Sequence, residues 1–167
     1  DHHIDKIDLE NYSNIIFPYH QEYIEKKSLV KLNKFLNSQL EEKKIFAVGE
    51  SFKHIFEYDD EKNFYKIYYQ KHVNNKNYRF VTDYIKYDIQ NNNCKFKEIP
   101  ISGIYVNYLN NDKIEKFNDI KCNKKSLSAI SEKKFNKNLF INFNSENLIY
   151  KLKNNSSLFQ YVYNKLN

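Results

Sequence analysis

Methionine and tryptophan are absent from this chain, glycine and proline occur twice each, and a single arginine, Arg79, stands among 27 basic residues. Each scarcity removes a class of mechanism. A phosphate-cradling loop needs clustered glycines ahead of Lys-Ser/Thr, whereas Gly49 and Gly103 are isolated. The stretch "GESF" at 49–52 lacks the second glycine of a nucleophile elbow, so Ser51 reads as a turn residue. One arginine does not supply repeated bidentate and stacking contacts to nucleic acid, and the positive charge is carried by well-hydrated lysines. No run of 18 apolar residues occurs, which excludes a transmembrane helix within this sequence. Acids are interspersed among the lysines, as in "EYDDEKN" and "NDKIEKFNDIK", so the net charge of +6 gathers into no basic arm. Paired acids at Glu41-Glu42 and Asp59-Asp60 mark a helix end and a turn, not a dyad across a cleft. No catalytic residue and no cofactor follow from any of these patterns.

What the chain has in quantity is Lys, Asn, Ile, Phe and Tyr, with 13 Phe and 15 Tyr. These residues share A/T-rich codons, and a biased genome accounts for the vocabulary. At 167 residues the chain fits one domain and buries roughly two thirds of its unfolded surface, so folding requires neither a disulfide nor a metal. Large rings supply much of that burial. The sequence opens at Asp1 and contains no Met, which is expected of a processed form or an excised fragment. Cys94 and Cys122 make one possible pair without a CxxC. They read either as a disulfide in an oxidising compartment or as two inert buried thiols. The "DHHID" start would offer Cu(II) a square-planar nitrogen set through His3 only if Asp1 were a mature N-terminus, and no metal is assigned.

Residues 1–19 read as an irregular lead-in and residues 20–167 as a single α+β domain. Between 20 and 43, Ile24, Leu29, Leu32, Phe35, Leu36 and Leu40 recur at helical spacing, which predicts a long N-terminal helix with one apolar stripe. From Lys44 the period becomes two. Pairing Tyr58 with Asn63 across "DDEK" sets Phe56 opposite Tyr65 and Phe52 opposite Tyr69. The same test across "NNKN" and "QNNN" pairs Val73 with Tyr78, Ile89 with Cys94 and Tyr87 with Phe96, with a bulge near Tyr84-Ile85. Ile104, Val106 and Tyr108 form another strand. The expectation is an antiparallel meander of about five to six strands whose aromatic face is buried and whose lysine face is solvated. Past Cys122 short C-terminal helices are expected, from Ser126 or Ser128 through Phe135, from Ser145, and from Ser156 or Ser157. Strand competes at 138–143, "NLFINF". The fold class is therefore α+β, a long helix packed on an antiparallel meander, an order that resembles cystatin-like and NTF2-like architectures without any residue motif of theirs.

Three function classes follow. The first is a non-enzymatic, extracytoplasmic binding or assembly module acting through protein–protein contact, secreted or periplasmic, with a cytoplasmic location as the alternative. The second is a lysine-rich nucleic-acid or ribonucleoprotein-associated protein whose contact face holds Lys66, Tyr68, Lys71, Lys76, Arg79 and Lys86. The third is a small-ligand carrier with a pocket between helix and sheet, or an enzyme built around His54. That histidine falls in the apolar phase between Phe52 and Phe56 and is the best buried titratable candidate. A protein partner is expected ahead of nucleic acid.

Overall fold

The computed structural model describes residues 4–49, 51, 52, 54–59, 61–69, 83–86, 94–96, 99, 100, 105–108, 120–122, 125–127, 130–144 and 156–167. Two short 3-10 turns, Ile4–Lys6 and Leu9–Asn11, lead into β1 (Asn14–His20), β2 (Tyr23–Glu25), α1 (Lys26–Leu36) and β3 (Lys44–Val48). Then follow β4 (His54–Asp59), β5 (Phe64–Tyr69), β6 (Asp83–Lys86), β7 (Cys94–Phe96), β8 (Ile99–Pro100) and β9 (Tyr105–Tyr108). The chain continues through β10 (Ile120–Cys122), β11 (Lys125–Leu127), β12 (Ile130–Phe135) and β13 (Asn138–Phe143) to a C-terminal helix, α2 (Ser156–Leu166). Among the described residues no helix is long and apolar enough to cross a membrane.

The helix is real at its centre and shorter than the apolar stripe predicts. Leu29, Leu32, Phe35 and Leu36 are buried on one face of α1, as their spacing requires. The stripe's two ends belong elsewhere. Ile24 is drawn into β2, which runs parallel to β4 with Ile24 beside Ile55, and Leu40 sits in the following loop at 82% exposure. Asn37 closes the helix by donating its side-chain amide to Asn33 O at 2.8 Å, a local bond that competes with another helical turn.

The sheets are mixed, which overturns the expected antiparallel meander and with it the resemblance to cystatin-like and NTF2-like architectures. One sheet has the order β1-β3-β13-β12, with β1 and β13 both parallel to β3 and β12 antiparallel to β13. A second has the order β2-β4-β5, and its β2–β4 pairing is parallel too. The physical reason lies in "KIFAV" at 44–48 and "NLFINF" at 138–143. Both are continuous runs buried along their whole length, the signature of central strands covered on two faces. A one-faced meander needs alternation that these runs lack. Pro18 lies in β1, where β3 is the only neighbour among the described strands and the register is irregular between Ile16 and His20, so its missing N–H interrupts no second ladder.

Three local expectations change with this topology. Residues 125–127 and 130–135 are strands instead of a helix from Ser126 or Ser128. Over 130–135 the cause is pairing along its whole length with β13, closed by Asn136 in the left-handed region at φ 57°. In the β4–β5 hairpin Tyr58 pairs with Tyr65 and Phe56 with Ile67, two residues from the expected register. There the Asp59 side chain accepts from Lys62 N–H and Asn63 turns at φ 52°, which places the described part of the turn at 61–63. Phe52 is not in the strand opposite Tyr69 but in the preceding turn at φ 60°, its N–H donating to Gln21 O at 2.7 Å. Further on, β7 is flanked by β10 and β8, and Ile85 of β6 pairs with Val106 of β9, while the pairings expected for Ile89 and Tyr87 lie outside the described residues. The pairing of Val73 with Tyr78 and the helix from Ser145 lie outside the described residues.

The main core lies between α1 and the sheets. Leu29, Leu32 and Leu36 meet Ile24, Ile45, Ala47, Phe52, Ile55 and Phe140, all exposed by 1% or less. One buried polar residue stitches the end of α1 to the start of β3. The amide of Asn138 donates to Leu36 O (2.8 Å) and Ser38 O (2.9 Å), and its Oδ1 accepts from Lys43 N–H (2.7 Å). On the opposite side of the four-stranded sheet, Tyr161 and Lys165 of α2 reach the buried Glu132 of β12, Lys165 at 3.0 Å.

Candidate functional site

The β2-β4-β5 sheet buries one face and exposes the other, in the phase opposite to the expected one. Ile24 and Ile55 turn into the core, where compact aliphatic side chains fit under α1. Their neighbours in sequence, Tyr23, His54, Phe56 and Tyr58, consequently point outward, and the register places Tyr65 opposite Tyr58 and Ile67 opposite Phe56 on the same face. The result is an aromatic and aliphatic surface. Tyr23, Tyr58, Tyr65 and Ile67 are exposed and Phe56 is half-buried.

These rings brace one another. Phe56 meets Tyr65 edge-on with centroids 5.7 Å apart, and Tyr65 lies 5.1 Å from Tyr58. Tyr58 also donates its hydroxyl to Asn63 Oδ1. Contacts of this geometry contribute about 0.5–1.5 kcal/mol each beyond burial, which favours one arrangement of the side chains. The face is therefore pre-shaped as well as apolar.

His54 lies at the buried end of this surface. Its ring stacks on Tyr23 with centroids 4.7 Å apart and planes 17° apart, and its Nδ1 is 3.3 Å from Glu22 Oε1. The backbone of Glu22 accepts from His54 N–H at 2.9 Å. Cross-strand neighbours of His54 are Tyr23 and Tyr69. Ser51 donates its hydroxyl to Val48 O at 2.8 Å, in the role of a turn residue. This arrangement holds a histidine between a ring and a carboxylate and joins the aromatic face to the core.

Of the residues proposed for nucleic-acid contact, the described ones are Lys66 and Tyr68, two positions apart in β5, and Lys86 in β6. Lys66 stands opposite Glu57 in the β4–β5 ladder, in the phase that alternates with the exposed rings, and Glu57 also holds Lys26 at 3.0 Å. Tyr68 pairs with Ile55 in register. Lys86 belongs to the separate β6–β9 sheet, opposite Tyr105. Lys71, Lys76 and Arg79 lie outside the described residues. Cys94 and Cys122 are direct cross-strand partners in the antiparallel β7–β10 pair.

Among the described residues no group of three or more His, Cys, Asp and Glu side chains is placed to hold a metal ion. Tyr23 was missed by sequence reasoning because helical spacing absorbed the whole stretch from 20 onward. The available signal was the alternation of Tyr23, Ile24 and Glu25 ahead of the first lysine pair. No protein-family model matches this chain, and neither a curated protein nor a solved structure matches it.

Proposed function

We propose that this protein is a non-enzymatic binding module that docks a protein partner on the outward face of the β2-β4-β5 sheet. One observation carries the reading: Tyr23, Tyr58, Tyr65 and Ile67, each 41–55% exposed, share one face of the sheet around half-buried Phe56. Rings of Tyr and Phe with an aliphatic neighbour, and no lysine in the same phase among the described residues, match the composition of interface centres, where aromatics are enriched and Lys is depleted. The occupant is a protein surface with an apolar centre, because a sheet face of this kind presents complementarity over an area and no enclosed cleft.

Against a nucleic-acid partner stands the separation of charge from rings. Single-strand binding combines a cationic groove with stacking platforms, and here Lys66 stands in the phase opposite to the exposed rings of Tyr58 and Tyr65, sharing its phase on β5 with Phe64 and Tyr68. Site-specific photo-crosslinking tests the reading. A photoreactive residue at Tyr65 is expected to capture one protein reproducibly from the source cell, while the same residue at Lys66, one position away in the other phase, captures far less. Equal yields at both positions, or capture of nucleic acid at Tyr65, would remove the proposal.

The proposed working compartment is oxidising and extracytoplasmic. Support comes from the register that sets Cys94 opposite Cys122, since antiparallel cross-strand Cα atoms about 4.5–5.5 Å apart fall within the span a disulfide bridges. Bridging would transfer two electrons and two protons from the thiols to a disulfide-bearing oxidant, and the closed loop would stabilise the fold by about 3–4 kcal/mol.

A further inference from the structure

A cavity of about 460 Å³ lies on the outward side of α1, between that helix and the N-terminal 3-10 turns. Its floor is apolar, with Leu9 and Phe35 buried and Val30 half-buried. Its two walls carry opposite charge. Lys27, Lys31 and Lys34 line the helix side, spaced to share one face, while Asp5, Asp8 and Glu10 line the side formed by the turns. No side-chain ion pair joins these walls among the described residues. The contact between them is backbone-directed, Lys31 Nζ donating to Asp5 O at 2.8 Å.

The charges divide into those already committed and those left over. Buried Lys43 is fully engaged by Glu10 O (3.0 Å), Tyr12 O (2.7 Å) and Glu41 (3.5 Å), and its ammonium lies over the Phe35 ring. The Asp8 carboxylate accepts from Glu10 N–H and the Asn11 amide. Left over among the described residues are the ammonium groups of Lys27 and Lys34, two turns or about 10 Å apart along the helix, and the carboxylates of Asp5 and Glu10. One oxygen of Asp5 is shut off from solvent with no donor against it. A carboxylate so placed is stabilised by a cationic group approaching its other side.

We infer that this cavity binds a small zwitterion of the α-amino-acid class, its ammonium against Asp5 and Glu10, its carboxylate against Lys27 and Lys34, and an apolar side chain on Leu9, Val30 and Phe35. The near balance of the walls selects this class. A simple anion would meet the carboxylates and a simple cation the lysines, whereas a zwitterion set across the gap satisfies both at once. The volume is within the range of small-molecule sites and suits a ligand of amino-acid or dipeptide size.

The test is an NMR titration of the full chain with free phenylalanine, read at the amides of Leu9, Val30 and Lys34. N-acetylphenylalanine, which keeps only the anion, and phenylalanine amide, which keeps only the cation, serve as comparators. Saturable shifts with phenylalanine, weakened at least about ten-fold by blocking either end, are expected. The doubly neutralised variant Lys27→Gln/Lys34→Gln and, separately, Glu10→Gln should each weaken binding to a similar degree. Neither change touches the core, and an unchanged circular dichroism spectrum shows that the fold is intact. No saturable shift at ligand concentrations on the order of ten millimolar would overturn the inference, as would equal binding of the blocked analogues or undiminished binding by the variants. The outcome is independent of the aromatic face, since Tyr65 lines no part of this cavity.

Discussion

Replacing Asn138 by leucine is expected to be among the most costly single changes in this chain, although it removes a polar residue from a buried site. Asn138 is fully buried and serves three backbone groups at once: two carbonyls at the end of α1 and the N–H that opens β3. Leucine fills a similar volume, so the cavity contribution is small and hydrogen bonding decides the outcome. Leu36 O belongs to the last turn of the helix, where no intrahelical donor remains, and Lys43 N–H sits in a buried bond. Each stranded buried group costs about 1–3 kcal/mol, while Ser38 O is partly accessible and can recover a water. The sum is about 2–6 kcal/mol, a large part of a total stability that is typically about 5–15 kcal/mol. Urea titration followed by circular dichroism reads it directly. Lys137→Ala provides the comparison, since Lys137 also reaches back to the α1–β3 loop, at Gln39 O, but from the surface, and about 0.5 kcal/mol or less is expected. A loss below about 1 kcal/mol for Asn138→Leu would refute the view that this amide fastens helix to sheet.

Leu32→Ala should cost about 2–5 kcal/mol by the same assay, because its side chain is completely enclosed between α1 and the sheets, and a loss below about 0.5 kcal/mol would place the stripe in solvent. Alkylation of freshly isolated native protein without reductant, followed by mass measurement, should leave Cys94 and Cys122 unmodified. Two modified thiols would remove the bridge and much of the case for an oxidising compartment.

Helical spacing located the middle of α1 from sequence because Leu29, Leu32, Phe35 and Leu36 satisfy a local rule. It overshot both ends because Ile24 answers to a partner, Ile55, whose parallel pairing no local pattern encodes. The same limit hid the four-stranded sheet, where β3 pairs with a strand some ninety residues later. The two buried runs at 44–48 and 138–143 carried a legible sign of central strands, and their lack of alternation argued against a meander throughout. For the candidate site, the β4–β5 hairpin and its faces were readable, since a register error of two residues preserves the phase. Which face turns inward was not readable. Both phases carry apolar residues, and the choice of Ile55 over Phe56 is made by the space beneath α1, not by hydrophobicity. The unlike-charged walls of the outer cavity escaped notice for a related reason. Asp5, Asp8 and Glu10 look like solvated loop acids until the chain folds them against the lysines of α1.

The most direct measurement of the docking surface is the affinity of the captured partner for single variants in the two phases of β5. Tyr65→Ser should weaken binding at least about ten-fold, while the loss of its two ring contacts with Phe56 and Tyr58 lowers stability by about 1–3 kcal/mol and leaves the chain folded at assay temperature. Lys66→Ala, one residue along and in the phase of Glu57, should change the affinity by about two-fold or less. The reverse pattern, a large loss at Lys66 that deepens with falling salt and none at Tyr65, would contradict the account and mark the lysine phase as the binding face.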